Sequence, residues 1–239
     1  MFVINPYRFG SAASTANAVT FDGTNDSMAY ASDLTGISDG EACTVSFWIR
    51  TSSINKKFFA FSTQNELEIL SSGKLTWPLL STAGGVNKIL FTTNAAINGG
   101  TWTHVLISLE ANSTSTRFVY INDSLDSTTW TTYSAADLID WTRGSMYFVE
   151  NTGKITADFA DFYFSTSYID ISVEANRRKF ITADGAPAAR DANGGYGGAD
   201  IPLIWFSGAT DNWHTNKGTG GGFTLTGTLT TSAHLPVEV

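Results

Sequence analysis

The sequence predicts an all-β protein, an antiparallel two-sheet sandwich, and three runs carry most of that expectation: Cys43-Thr44-Val45-Ser46-Phe47-Trp48-Ile49-Arg50, Trp102-Thr103-His104-Val105-Leu106-Ile107-Ser108-Leu109 and Thr116-Arg117-Phe118-Val119-Tyr120-Ile121-Asn122-Asp123. Apolar and small polar residues alternate at period two through much of each run. β-Branched and aromatic types dominate, and Gly, Asn, Asp or Ser clusters bound the runs, which marks half-buried antiparallel strands. A chain of 239 residues fits within what one all-β sandwich occupies. At that size roughly 70 to 75% of the unfolded surface is buried, so the core needs no disulfide or structural metal.

From the amino terminus, residues 1 to 10, with Phe2, Ile4, Pro6, Tyr7 and Phe9 as candidate anchors, form an apolar decapeptide joined to Ser11-Ala12-Ala13-Ser14-Thr15-Ala16. Residues 1 to 16 read as an arm or tether that anchors the chain on a neighbour, or equally as a first edge strand, where Pro6 is tolerated. Strand signals then follow closely: Val19 to Phe21, Met28 to Ala31, Thr44 to Thr51, Lys57 to Ser62, Leu67 to Leu70, Lys74 to Leu80, Lys88 to Thr92, Trp102 to Glu110, Thr116 to Ile121, Ser145 to Val149 and Ile155 to Ser165. Turns fall at Asp22-Gly23-Thr24-Asn25-Asp26, Ser71-Ser72-Gly73, Gly84-Gly85 and Asn98-Gly99-Gly100. No repeat period appears, which argues against a propeller or solenoid. One short helix is expected near 172–180, with Ser172 as its cap and Val173 and Phe180 on one face. Residues 183–239 form a Gly-rich loop, a short strand at Ile201 to Ser207, and a tail whose Phe223 to Leu229 segment alternates as one more strand and completes the domain.

Charged residues make up only 15% of the chain, against a usual fraction near 25%, so the surface is neutral-polar. Such a surface suits a protein that resists nonspecific contact outside a cell or packs beside copies of itself. Net charge is −8 and no basic run exceeds Arg177-Arg178-Lys179, so nucleic-acid binding is disfavoured. Cys43 is the only cysteine, which excludes an intramolecular disulfide and reads as a small buried hydrophobe. The first ten residues lack the pattern of a secretory signal, and no stretch approaches 18 apolar residues, so no membrane insertion is expected. An extracellular-looking sandwich made without an export signal suits a virus particle released by lysis.

Several residues are candidates for chemistry. His104 lies between apolar neighbours and reads as structural, while His214 and His234 are far apart, with no zinc-like spacing. Asp22, Asn25 and Asp26 form an oxygen-rich turn that calcium could use if Glu150, Asn151 or backbone carbonyls completed it; Asx-turn hydrogen bonding explains the same residues. Calcium is the one cofactor left open. Trp130, Tyr133 and Trp141 lie in the polar stretch Asp126 to Arg143, where exposed rings would stack on sugars, cover an end of the core or contact another subunit.

Phe21-Asp22-Gly23-Thr24-Asn25-Asp26, Val45-Ser46-Phe47-Trp48-Ile49-Arg50, Trp102-Thr103-His104-Val105, Tyr120-Ile121-Asn122-Asp123 and Ala160-Asp161-Phe162-Tyr163-Phe164 resemble, in order and rough spacing, the laminin G-like branch of concanavalin A-like jelly rolls. The resemblance spans residues 17 to 182 and implies a jelly-roll core there. The opening Ile4-Asn5-Pro6-Tyr7-Arg8-Phe9 and the Gly-rich ending also resemble jelly-roll proteins encoded in tailed-phage structural regions. Glucanases of this fold carry Glu-x-Asp-x-Glu, whose period-two spacing aims the acids at one sugar bond. Here Glu66-Leu67-Glu68 lacks the third acid and reads as a solvated strand face, and Asp158 and Asp161 fall on opposite faces if their strand is regular.

These observations together lead to the expectation of a noncatalytic phage virion component on the particle surface, a capsid decoration or fibre module that contacts other virion proteins and copies of itself. A lectin recognising host-surface polysaccharide is the second reading, and a degenerate glycan hydrolase the third.

Overall fold

A computed structural model describes residues 17–62, 64–134, 136–149, 153–189 and 201–236. Two antiparallel sheets face each other. The first contains β1 (Val19–Asp22), β3 (Ala42–Arg50), β8 (Trp102–Glu110), β9 (Arg117–Ile121), β10 (Ser124–Leu125), β13 (Thr156–Ser165), β14 (Ile204–Phe206) and β16 (Thr230–Thr231). Its order is β10-β9-β8-β3-β13-β1-β16, with β14 continuing beside β13 beyond the end of β1. The second contains β2 (Ser27–Tyr30), β4 (Lys56–Phe61), β5 (Gln64–Ile69), β6 (Lys74–Leu80), β7 (Asn87–Ala96), β11 (Thr129–Thr132), β12 (Met146–Phe148) and β15 (Thr224–Thr226), in the order β11-β7-β6-β5-β4-β12-β2-β15. This is the expected two-sheet jelly-roll sandwich.

Period-two alternation decides what each strand buries. Val45, Phe47 and Ile49 of β3, with Val105, Ile107 and Leu109 of β8, point into the space between the sheets and meet Phe59, Leu67, Trp77, Phe91 and Phe148 from the other side. The intervening residues of the first sheet are buried too, because a second apolar layer covers its outer face. Leu106, Tyr120 and Tyr163 pack there under Ile171 and Phe180, while Trp48 and Ala160 pack with Ala18 and Ile181. The outer face of the second sheet keeps the simple alternation: along β5, Leu67 and Ile69 are buried and Glu66 and Glu68 are not. Ends of the sheets are short and threonine-rich, which limits unwanted edge pairing.

The expected short helix is present as α1 (Glu174–Arg177), a single turn preceded by Val173 and without the expected side-chain cap. Ser172 instead donates its hydroxyl to Asp170 Oδ1, and Val173 is exposed while Phe180 is buried against Tyr163, so the two share no face. The stretch Asp126 to Arg143 contains strand β11, paired along β7. In β13 the register shifts between Phe159 and Phe162; this bulge resets the alternation and puts Asp158 and Asp161 on the same outer side, not on opposite ones.

The carboxyl-terminal tail supplies more than the one expected strand. β15 pairs with β2 in one sheet and β16 with β1 in the other, so both sheets receive an edge from it. Gly227 lies between them at φ +88, where an added Cβ would come 2.3 Å from Asp26 Oδ1.

Candidate functional site

Trp130, Tyr133 and Trp141 do not share one exposed face, and of the alternatives for them Trp141 takes that of covering an end of the core. Trp130 sits on edge strand β11 directly opposite Phe91, with ring centroids 5.0 Å apart, and leans into the core. Trp141 is 0% exposed, among Phe61, Phe164 and Trp77. Its burial follows from the main chain. Asp39 Oδ1 accepts the N–H groups of Trp141 and Thr142, and Asn65 Nδ2 donates to the Asp140 carbonyl, so the loop is drawn onto the end of the sandwich. Tyr133 alone of the three is exposed, at 58%. Beneath its loop, the buried Lys88 ammonium reaches Glu41 and the carbonyls of Ser134 and Asp137.

At the acidic turn, Asp22 Oδ1 accepts from the N–H groups of Thr24 and Asn25, while Asp26 accepts from the N–H groups of Asp22 and Thr228. These bonds, led by that from Thr24, hold the Asp22 carboxyl below the usual carboxylate range. The geometry is an Asx turn that ties β1 to the tail. Glu150 and Asn151, the partners expected for a calcium site, lie outside the described residues, as do Phe2, Ile4, Pro6, Tyr7 and Phe9 of the amino-terminal segment. His104 is buried, bonded to Ser46 through Nε2 and packed on Trp48, as expected of a structural histidine. Burial pushes the Cys43 thiol up, which disfavours the nucleophilic thiolate. Glu66 is ion-paired with Lys57 across the β4–β5 hairpin.

A different constellation faces outward. Register across β8, β3, β13 and β1 places Trp102, Arg50, Asp158 and Thr20 side by side in one row. Arg50 Nη1 donates to Asp158 Oδ2 at 3.0 Å, and Thr20 Oγ1 donates to Asp158 Oδ1 at 2.6 Å. Thr20, Arg50 and Asp158 of this row line an open depression of about 270 Å³, whose rim includes Ser52, Gly100, Thr156 and His234. Each position has a local cause. Thr51 Oγ1 donates to the Thr156 carbonyl and fixes the end of β3, and the Gly100 N–H bonds the Thr51 carbonyl. After β16, the Ser232 N–H donates to the Ala18 carbonyl and its hydroxyl bonds the His234 main chain, which folds His234 back over the row. Two other depressions, of about 420 Å³ beside Tyr30 and Gly222 and about 300 Å³ beside Thr210 and Asp211, contain no such charged pair.

The Arg50 depression is smaller than a typical drug-sized site of roughly 300 to 1,000 Å³ and suits a small polar unit. Donors from Arg50, Ser52 and His234 and spare lone pairs on Asp158 meet there. Asp158 is its only carboxylate among the described residues, fixed between a guanidinium and a hydroxyl. The group is not legible in the sequence because its members lie up to 214 residues apart, from Thr20 to His234. Arg50 offered a signal: in a chain this poor in charge, a cation ends an otherwise uncharged strand.

Fold and surface together define a lectin-like jelly-roll domain. Residues 22–169, more than half of the chain, match the laminin G family model described as the concanavalin A-like lectin/glucanases superfamily, and the chain belongs to that superfamily. Among solved structures, a putative carbohydrate binding protein from Bacteroides ovatus is similar at TM-score 0.61 and 10% identity over 94% of this chain and 62% of that one. A native heptameric SAP-like pentraxin from Limulus polyphemus is similar at TM-score 0.50 and 14% identity, over 88% and 94% of the two chains. Mouse laminin alpha1 domains LG4-5 follow at TM-score 0.47 and 16% identity, over 68% and 45%. The chain thus spans less than two thirds of the Bacteroides and laminin chains it resembles. No curated protein sequence matches it. No helix among the described residues is long and apolar enough to cross a membrane.

Proposed function

We propose that this chain is a noncatalytic adhesion module of a virus particle, a capsid decoration or tail-fibre component whose jelly roll holds surface carbohydrate. The depression around Arg50 and Asp158 carries the binding half of this reading. Hydroxyl-rich ligands are recognised by closely set donors and acceptors, which Arg50, Ser52 and Asp158 supply in this depression. Glycoside hydrolysis calls for two carboxyl groups about 5 to 9.5 Å apart, one of them free to donate a proton. In this depression the single carboxylate is already the acceptor of two protein hydrogen bonds.

The virion setting draws support from the sparse charge and the Thr-, Ser- and Asn-rich surface, together with the likeness of both chain ends to tailed-phage structural proteins. Purified particles probed with an antibody to this chain test the setting; absence from particles that otherwise assemble would remove it. A glycan array tests binding. Signals lost in Asp158→Asn but kept in Tyr133→Ala would support the depression, whereas the reverse would return the site to the Tyr133 loop. Release of reducing sugar that disappears in Glu66→Gln would overturn the noncatalytic reading.

A further inference from the structure

We infer that the depression selects a carboxylate-bearing saccharide, such as a uronic acid unit, through the outer edge of Arg50. This rests on the carbohydrate-binding reading above and names the class of sugar. The guanidinium is planar, with donors arranged along distinct edges. Nη1 is committed to Asp158, and among the described residues Nε and Nη2 have no hydrogen-bond partner. Those two nitrogens form the edge that meets a carboxylate with parallel N–H···O bonds. The side chain is 31% exposed, so the edge is accessible, while Asp158 at 8% holds it in orientation.

The surroundings favour a sugar acid over a bare anion. Ser52 and His234 add polar groups on the rim, and Asp158, with Thr20 and Arg50 already bonded to it, retains lone pairs for a ligand hydroxyl. A multiply charged sulfate or phosphate would meet Asp158 as a repelling neighbour and find a single committed cation. A ligand with one negative charge and several hydroxyl groups satisfies both members of the pair. The protein's net charge of −8 works against long-range attraction of polyanions, so recognition rests on this short-range geometry.

Isothermal titration with oligogalacturonate, oligosialate, dextran of matched length and a dextran sulfate fragment tests the inference on the full chain. Binding of either carboxylated oligomer at least about tenfold tighter than dextran, and weakened about tenfold or more in Arg50→Lys, is the expected result. Lysine keeps a cation beside Asp158 but lacks the two-donor edge. Equal binding of dextran would overturn the acid selection while leaving carbohydrate binding intact, and preference for dextran sulfate would replace the carboxylate by a sulfate. Binding to none of the four would overturn both readings. Should Arg50→Lys melt below the assay temperature, the Arg50 Nε–H resonance of the wild-type chain provides the second readout: it shifts on titration with the bound oligomer, and an unmoved signal at saturation would sink the proposal.

Discussion

Trp141 and Tyr133 lie eight positions apart in one polar stretch, and their surroundings give them opposite roles. Trp141 is enclosed by Phe61, Trp77 and Phe164, whereas the Tyr133 ring projects into solvent. Replacing a buried aromatic by alanine removes its burial free energy and leaves a cavity, so Trp141→Ala is expected to cost about 3 to 5 kcal/mol in urea unfolding. Tyr133→Ala should stay within about 0.5 kcal/mol of the parent. Similar costs for the two would contradict the packing described. Gly227→Ala tests a different constraint: the backbone is at φ +88, and the new methyl meets the carboxylate that holds Thr228. A loss of about 1 to 3 kcal/mol is expected. Composition could not separate the two aromatic residues, because the bonds from Asp39 and Asn65 that draw Trp141 inward come from distant segments. The Asx turn at Asp22 to Asp26 was legible, since its bonds to Thr24 and Asn25 are local.

At the level of elements, α1 is too short to hold itself and depends on its contact with the β9–β10 hairpin. Arg177 Nε and Arg178 Nη1 both lie 2.7 Å from Asp123, and the Arg177 guanidinium lies 4.5 Å above the Tyr120 ring centroid. Partial burial alone would raise the Asp123 pKa, but the hydrogen bonds and charges of the two arginines outweigh it and hold the carboxyl below its usual 3.8. A carboxyl whose folded pKa lies below its unfolded value contributes fully above the unfolded value and loses that contribution as pH falls through the folded one. Stability against urea should therefore drop below pH ~4, and Asp123→Asn should flatten that limb while lowering stability at neutral pH. An unchanged acid limb would show that Asp123 is not among the carboxyls responsible. Strand positions such as Trp102 to Glu110 were readable because alternation is a local signal. The bulge in β13 was not, since it arises in the pairing with β3 where the other neighbour changes from β1 to β14, and with it went the common face of Asp158 and Asp161.

For the whole molecule, the family match and the folding unit have different limits. Residues 22–169 match the laminin G model, yet β14, β15 and β16 lie beyond them and add to both sheets. Phe206 and Trp213, from outside the match, pack on Phe148 in the middle of the core, and most of β1 precedes its first residue. The depression has the same dependence, because Thr20 and His234 come from opposite ends of the described chain. A fragment containing only residues 22–169 would expose Phe21's partners Phe148 and Phe159 and leave the edges of β2 and β13 unpaired. Unpaired edges beside exposed aromatic surface favour association over folding. The fragment is expected to elute as aggregates and to lack the near-ultraviolet dichroism of packed aromatic rings, while the full chain unfolds cooperatively. A monomeric fragment with a sharp urea transition would mean that the tail decorates an already complete sandwich, and the surface row would then need a source of order other than the closure of both sheets by their last strands.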